Sequence, residues 1–153
     1  KLIVKINKTK GMFILDTGAS NSCVDINSRK LFNLHSENSI IDATGAGTSN
    51  IKTQLSTKNT CSIGQWTCIN TMIIIIDLKH VNNALNEQNC TPIHGIIGSD
   101  ILKKGNAIIN YKSKYLYLKS SWFDCNIQIL NNGPYKNNLA AQSSNIKKTH
   151  VFI

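Results

Sequence analysis

No apolar stretch in this sequence is long enough to cross a membrane; the longest, Met72 to Ile76, falls far short of the roughly 20 residues a spanning helix needs. No dense block of Lys and Arg is present either. Seventeen basic residues against eight acidic ones give a net charge of +9. They are strung along the chain, at Lys5, Lys8, Lys10, Arg29, Lys52, Lys79, Lys103, Lys112 and Lys147 among others, without a dense block alternating with aromatics. That pattern lacks the clustered stripe of a nucleic-acid footprint and reads as a solvated basic surface. Neither a membrane nor a nucleic acid is therefore expected as a partner. No signal peptide is visible, since Lys1 leads straight into the alternating LIVKIN.

The five cysteines are odd in number and include no CxxC pair, which argues against a full disulfide framework and against a thiolate metal site. They read as free, half-buried thiols in a reducing compartment such as the cytoplasm. Cys61 and Cys68 flank SIGQWT and could face each other across a hairpin. The four histidines, His35, His80, His94 and His150, show no HExxH spacing, so no zinc site and no cofactor are expected. His94, beside Gly95, reads as structural. Ser20 has no GxSxG context. Cys23 has no identifiable base beside it. TGAGTS is not followed by GK[ST] or by a predicted helix, so it is no phosphate loop.

What is present is mostly strand. The chain has 153 residues, enough for one domain with a real core. LIVKIN alternates, NKTKG reads as a turn ending on Gly11, and GMFILD returns, so residues 2–16 read as a hairpin. Ser22 to Ile26 reads as a short strand, and NSRKLFNL as a short helix or turn. Residues 40–57 alternate around ATGAGTSN, a hairpin with a Gly-x-Gly tip. CSIGQWTCIN is another hairpin, and TMIIIIDL a buried strand. KHVNNALNEQNCTP reads as a loop with at most one helical turn. HGIIG is a short strand, and SDILKKG a helix capped by Ser99 and stopped by Gly105. NAIINY and KYLYLK close as a hairpin. SSWFDCNIQIL could add a strand, a polar tail follows, and the terminal VFI is an apolar hook for this chain or a partner.

Chemistry concentrates in GMFILDTGASNSCVD, residues 11–25. An apolar run ends on Asp16, which places a carboxylate where it is partly desolvated. Thr17 offers a hydroxyl, and Gly18 lets the backbone turn and aim its N–H at the carboxylate. Ser20 and Asn21 offer further local bonds. Ordinary turns use the same residues, so the tripeptide alone assigns nothing. Downstream come ATGAG at 43–47, an all-β stretch, HGIIGSDIL at 94–102 and AIINY at 107–111.

In order and spacing these pieces resemble the retropepsin-like aspartic proteases, single-domain relatives of pepsin, and look closest to the bacterial and cellular branch. The resemblance covers roughly residues 2–118. It implies an all-β fold: a closed β-barrel with a glycine-tipped flap hairpin and one short helix near the C-terminal end. Residues 1–120 would be that domain, and 121–153 an extension with one strand and a polar tail. Asp16 would be catalytic. Thr17, Gly18, Ala19 and Ser20 would support its loop. Thr44, Gly45, Ala46 and Gly47 would form the flap over substrate. Ile96, Ile97 and Gly98 would pack beneath the loop. The chain holds one DTG, and Asp25, Asp42, Asp77, Asp100 and Asp124 lack that setting. The second carboxylate would be Asp16 of another copy in a homodimer acting on a peptide or protein substrate. The alternative is a dimerisation or peptide-binding module in which the pair is idle.

Overall fold

The computed structural model describes residues 1–45, 48–119 and 151–152, with the backbone alone described for 37–45, 48–52 and 151–152. The expected strand within SSWFDCNIQIL and the polar tail lie outside the described residues.

Strand β1 (Leu2–Ile6) buries Leu2, Val4 and Ile6 and turns Ile3 and Lys5 outward, the period of two that LIVKI carries. It pairs antiparallel with β2 (Thr9–Leu15). The connecting turn is tighter than NKTKG implies. Asn7 and Lys8 form it alone, both at positive φ (47° and 75°), as a two-residue hairpin turn requires. Gly11 lies inside β2, opposite Val4.

Next come β3 (Cys23–Asp25), a single 3-10 turn at Ile26–Ser28, β4 (Glu37–Gly45), β5 (Thr48–Ile63) and β6 (Trp66–Ile76). Helix α1 (Lys79–Glu87), β7 (Gly95–Ile97), helix α2 (Ser99–Lys104), β8 (Ile108–Asn110), β9 (Tyr115–Tyr117) and β10 (Val151–Phe152) complete the order. One sheet runs β1-β2-β7-β3-β6-β5, and β1 also pairs with β5, which closes a six-stranded barrel. β4 hangs outside the ring on β5, so the β4–β5 hairpin is an arm of the barrel. Inside the ring are Val4, Ile6, Phe13, Val24, Ile63, Ile73, Ile75 and Ile97, sealed by Phe32, Ile101, Leu116 and Leu118. The core is thus built largely from β-branched strand residues and three aromatics, Phe13, Phe32 and Trp66, the ring centres of Phe13 and Phe32 lying 5.9 Å apart.

Strand β7 is the hub. It runs parallel to β2 and antiparallel to β3. Gly95 leaves no room for a side chain there: a Cβ would sit 2.3 Å from the Cys23 carbonyl oxygen and 2.4 Å from the Phe13 ring. His94, just before it, is stitched in. Its Nδ1 accepts the Met12 N–H at 3.1 Å, and its ring stands edge-on to Phe32.

Two expectations need correction, and one left open is decided. Residues 79–87 form a full helix rather than a loop with one turn. Its anchors are tertiary. Asn82 donates to Ile93 O at 3.1 Å, accepts from Ile93 N–H at 2.8 Å and donates to the buried Asp25 at 3.2 Å. Asp77 accepts the Lys79 N–H at the helix start. Helix α2 is capped at Gly98, and Ser99 is its first residue. The terminal hook docks on its own chain: Val151 and Phe152 pair with Leu116 and Tyr115 of β9.

Burial raises the Cys61 thiol to about 12 and the Cys23 thiol to about 11 from an ordinary 9. Both therefore favour the folded state as neutral thiols. That contribution is complete below about pH 9 and is lost as pH rises towards 11–12. Between about pH 8 and about pH 10.5, urea midpoints of the wild type should fall further than those of Cys61→Ala. Gly95→Ala should lower stability by about 2–4 kcal/mol, read as a lower urea midpoint with an unchanged slope.

Candidate active site

Asp16 follows the last residue of β2, and its N–H is bonded to Ile97 O at 3.0 Å, which continues the β2–β7 pairing. The chain then turns. The Gly18 N–H donates to Asp16 Oδ1 at 2.8 Å, which fixes the carboxyl rotamer and its plane. Oδ2 takes no hydrogen bond from the described residues. The sequence places this carboxylate in a partly desolvated position, whereas in the single chain Asp16, Thr17 and Gly18 are exposed. The apolar strand stops at Leu15, and the loop stands proud of the barrel.

The loop is fastened from beneath. The Ser99 N–H donates to Ala19 O at 2.8 Å, and Ser99 Oγ donates to Ser20 O at 3.1 Å. Gly98 backs directly on the loop, where a Cβ would lie 2.8 Å from Ala19 O and 2.7 Å from the Asn21 carbonyl carbon. Ser22, fully buried, completes the joint. Its Oγ accepts the Gly98 N–H at 2.9 Å and donates to Asp100 Oδ1 at 2.6 Å. Ile97 is in the core, and Ile96 is half-buried opposite Cys23. The structure thus brings Asp16–Ser20 and Ile96–Gly98 together. Thr44 and Gly45 end β4, with Gly45 opposite Thr48. Ala46 and Gly47 lie outside the described residues.

Ser22 and Asp100 were not singled out by sequence. Ser22 precedes β3 inside SNSCV and looks like one more turn residue, and Asp100 reads as a helix-start acid that favours the dipole. The available signal was a small hydroxyl directly before a buried strand, with no water-facing partner. Also missed was the groove beside Asp16, about 420 Å³, lined by Leu15, Thr17, Ile109, Tyr111 and Lys114 as well as Asp16. Its far wall belongs to the β8–β9 hairpin. A second, open cleft shares Thr17 and Ile109 with it. Leu15 and Ile109 are half-buried and Tyr111 is 80% exposed, so the groove gives the carboxylate an apolar flank, with Lys114 also in its lining. β8 is the edge of its sheet. Among the described residues no group of three or more His, Cys, Asp or Glu is placed to hold a metal ion, and no helix is long and apolar enough to cross a membrane.

A closed barrel with a hairpin arm, and a DTG loop seated on a Gly-containing strand end, define a retropepsin-like aspartic protease fold. The sequence model for aspartyl proteases matches residues 2–101, and the chain belongs to that family. Two solved structures are similar in fold. One is the EIAV protease in complex with the inhibitor HBY-793, at 23% identity and TM-score 0.50, covering 67% of this chain and 85% of that one. The other is the retroviral protease-like domain of Ddi1 from Leishmania major, at 14% identity and TM-score 0.50, covering 76% and 85%. No curated protein matches the chain.

Ser22→Ala leaves the Gly98 N–H buried without its acceptor and Asp100 without its donor. It should cost about 1–3 kcal/mol, measured by urea unfolding. Asp100→Asn keeps a hydrogen-bonding side chain and should cost less.

Proposed function

We propose that two copies of the chain assemble about a two-fold axis and hydrolyse peptide bonds with their paired Asp16 carboxyls. The observation that carries this reading is the state of Asp16. It is held rigidly by Gly18, it is exposed, and it stands at the lip of a largely apolar groove beside a sheet edge that is unpaired among the described residues. A rigid carboxylate with one oxygen unbonded among the described residues, flanked by Leu15, Ile109 and Tyr111, is half of a site.

Two carboxyls held about 3 Å apart cannot both ionise, so the pair shares one proton and titrates as a unit. The ionised member takes a proton from a water held between them, while the protonated member donates to the scissile carbonyl oxygen. Water adds to the carbonyl carbon to give a tetrahedral diol. Proton transfer to the amide nitrogen then releases the amine, with no covalent enzyme intermediate. Gly18 keeps Oδ1 in place throughout, leaving Oδ2 to face the water. Thr17, at the junction of groove and cleft, would brace the partner's loop. The β4–β5 arm, with Thr44 to Gly47 at its tip, would close over the substrate.

Wild-type protein should cleave members of a mixed peptide library, with a bell-shaped pH profile centred on the mildly acidic side of neutrality. Asp16→Asn should reduce cleavage by about 10³-fold with the dimer retained. A folded, dimeric wild type that cuts nothing would favour the idle peptide-binding module instead. Ile108→Asp puts a charge on the β8 edge at an already exposed position, so it should leave the barrel folded, shift sedimentation to monomer and abolish cleavage. Wild type that sediments only as monomer at high concentration overturns the mechanism.

A further inference from the structure

The hairpin formed by β5 and β6 carries two thiols that the proposed chemistry does not use. Cys61 and Cys68 are direct register partners, two pairs back from the Ile63–Trp66 pair that flanks the turn. Directly opposite residues of an antiparallel pair share one face of the sheet, with Cα atoms about 4.5–5.5 Å apart. That spacing lies within the roughly 4.4–6.8 Å that a disulfide bridges. The burial agrees: Cys61 is fully buried and Cys68 is half-buried and packed against the same core. Their charges would also feel one another, since ionised Cys68 pushes the Cys61 thiol further up. Both are free thiols. Cys61 also stands opposite Ile6 of β1, so it sits at the seam where the barrel closes.

We infer that Cys61 and Cys68 form a redox-responsive dithiol that closes into a cross-strand disulfide when it meets a low-molecular-weight disulfide such as oxidised glutathione. The accessible Cys68 reacts first. Its thiolate attacks one glutathione sulfur, forming a Cys68–glutathione bond and expelling one glutathione thiolate. The Cys61 thiol gives up its proton, and its sulfur attacks Cys68 Sγ, expelling the second glutathione thiolate. Two protein thiols are oxidised, and one glutathione disulfide is reduced to two thiols that carry away the two protons. Burial of Cys61 makes the second step slow and steeply pH-dependent. The closed form joins β5 to β6 beside the β1 seam and so shortens the excursions by which the barrel opens. This inference stands apart from the peptidase reading, because it concerns neither Asp16 nor the dimer.

The test is incubation of the folded full chain with oxidised glutathione, followed by peptide mapping under non-reducing conditions. The expected result is a Cys61–Cys68 linked peptide and a mass lower by two hydrogens. Cys68→Ser should give no linked peptide, while Cys61→Ser should keep a glutathione on Cys68. Linkage should form about tenfold faster for each unit of pH between neutrality and pH 9. The oxidised form should melt several degrees higher than the reduced one. A variant with Cys23→Ala, Cys90→Ser and Cys125→Ser should behave as wild type; wild-type mapping decides the matter if it does not fold. Both thiols recovered free from folded, oxidised wild type, or a lowered melting temperature once linked, would overturn the inference.

Discussion

The Ser22 hydroxyl is the joint on which the candidate site depends. It accepts one hydrogen bond from the Gly98 N–H and gives one to Asp100, and it does both from a fully buried position. The loop from Asp16 to Asn21 is short, polar and largely exposed, so it cannot hold itself in place by apolar packing. Its position is dictated from below by hydrogen bonds to the β7–α2 junction, and those bonds form only because Gly98 lets the two backbones touch. A methyl group at 98 would lift the loop by displacing its carbonyls. An unsatisfied Ser22 would leave its own hydroxyl and the Gly98 N–H unpaired in the interior, each costing about 1–3 kcal/mol, and the half-buried Asp100 without its donor. The carboxylate at the rim is thus aimed by groups in the interior.

The barrel explains why that junction is rigid. β7 is only three residues long, yet it pairs on both sides, parallel with β2 and antiparallel with β3. β2 delivers Asp16, and β3 follows directly from its loop. The loop therefore leaves one neighbour of β7 and returns on the other, and the residues after β7 lie beneath it. Closure of β1 onto β5 leaves no edge in the barrel itself, so neither flank can slip without breaking the ring. The smaller sheet of β8, β9 and β10 has edges, and β10 covers the one at β9. The β8 edge, whose Ile109 lines the groove with Asp16, is unpaired among the described residues and carries the exposed Ile108.

Much of this was legible in the sequence, for identifiable reasons. Alternation in LIVKI fixes a strand whose faces have opposite environments, and the burial follows it. The β-branched run in β6 marks a strand but not its faces; there Ile73 and Ile75 are fully buried while Met72 is exposed. The DTG turn and Gly98 were legible only together: residue type alone assigns nothing to either, and it is their order and spacing with ATGAG and HGIIGSDIL that point to them. Helix α1 was not legible because its anchor, Asn82 bridging Ile93, is a contact between residues that share no periodic signal. Asp100 was misleading because an acid in the first turn of a helix already has a local explanation, and nothing local reveals the serine just before β3 that donates to it. The groove could not be read at all. Its walls come from β2 and from the β8–β9 hairpin, far apart in sequence.

The most instructive disagreement is the exposure of Asp16. A strand-end carboxylate looks desolvated in a sequence because the residues before it are apolar, but desolvation needs cover on every side. Among the described residues of the single chain nothing covers the loop, and the groove is open beside it. What the fold supplies is geometry: a fixed rotamer, a fixed loop and one free oxygen. The electrostatics of a proton-sharing pair, low dielectric and a second negative group close by, would have to come from whatever covers that surface. On the proposed reading a second copy supplies both together, because the surface that excludes water is the same one that brings the second Asp16. Aspartic chemistry of this kind would then be a property of the assembly, and a lone folded chain would be inert even with every site residue in place.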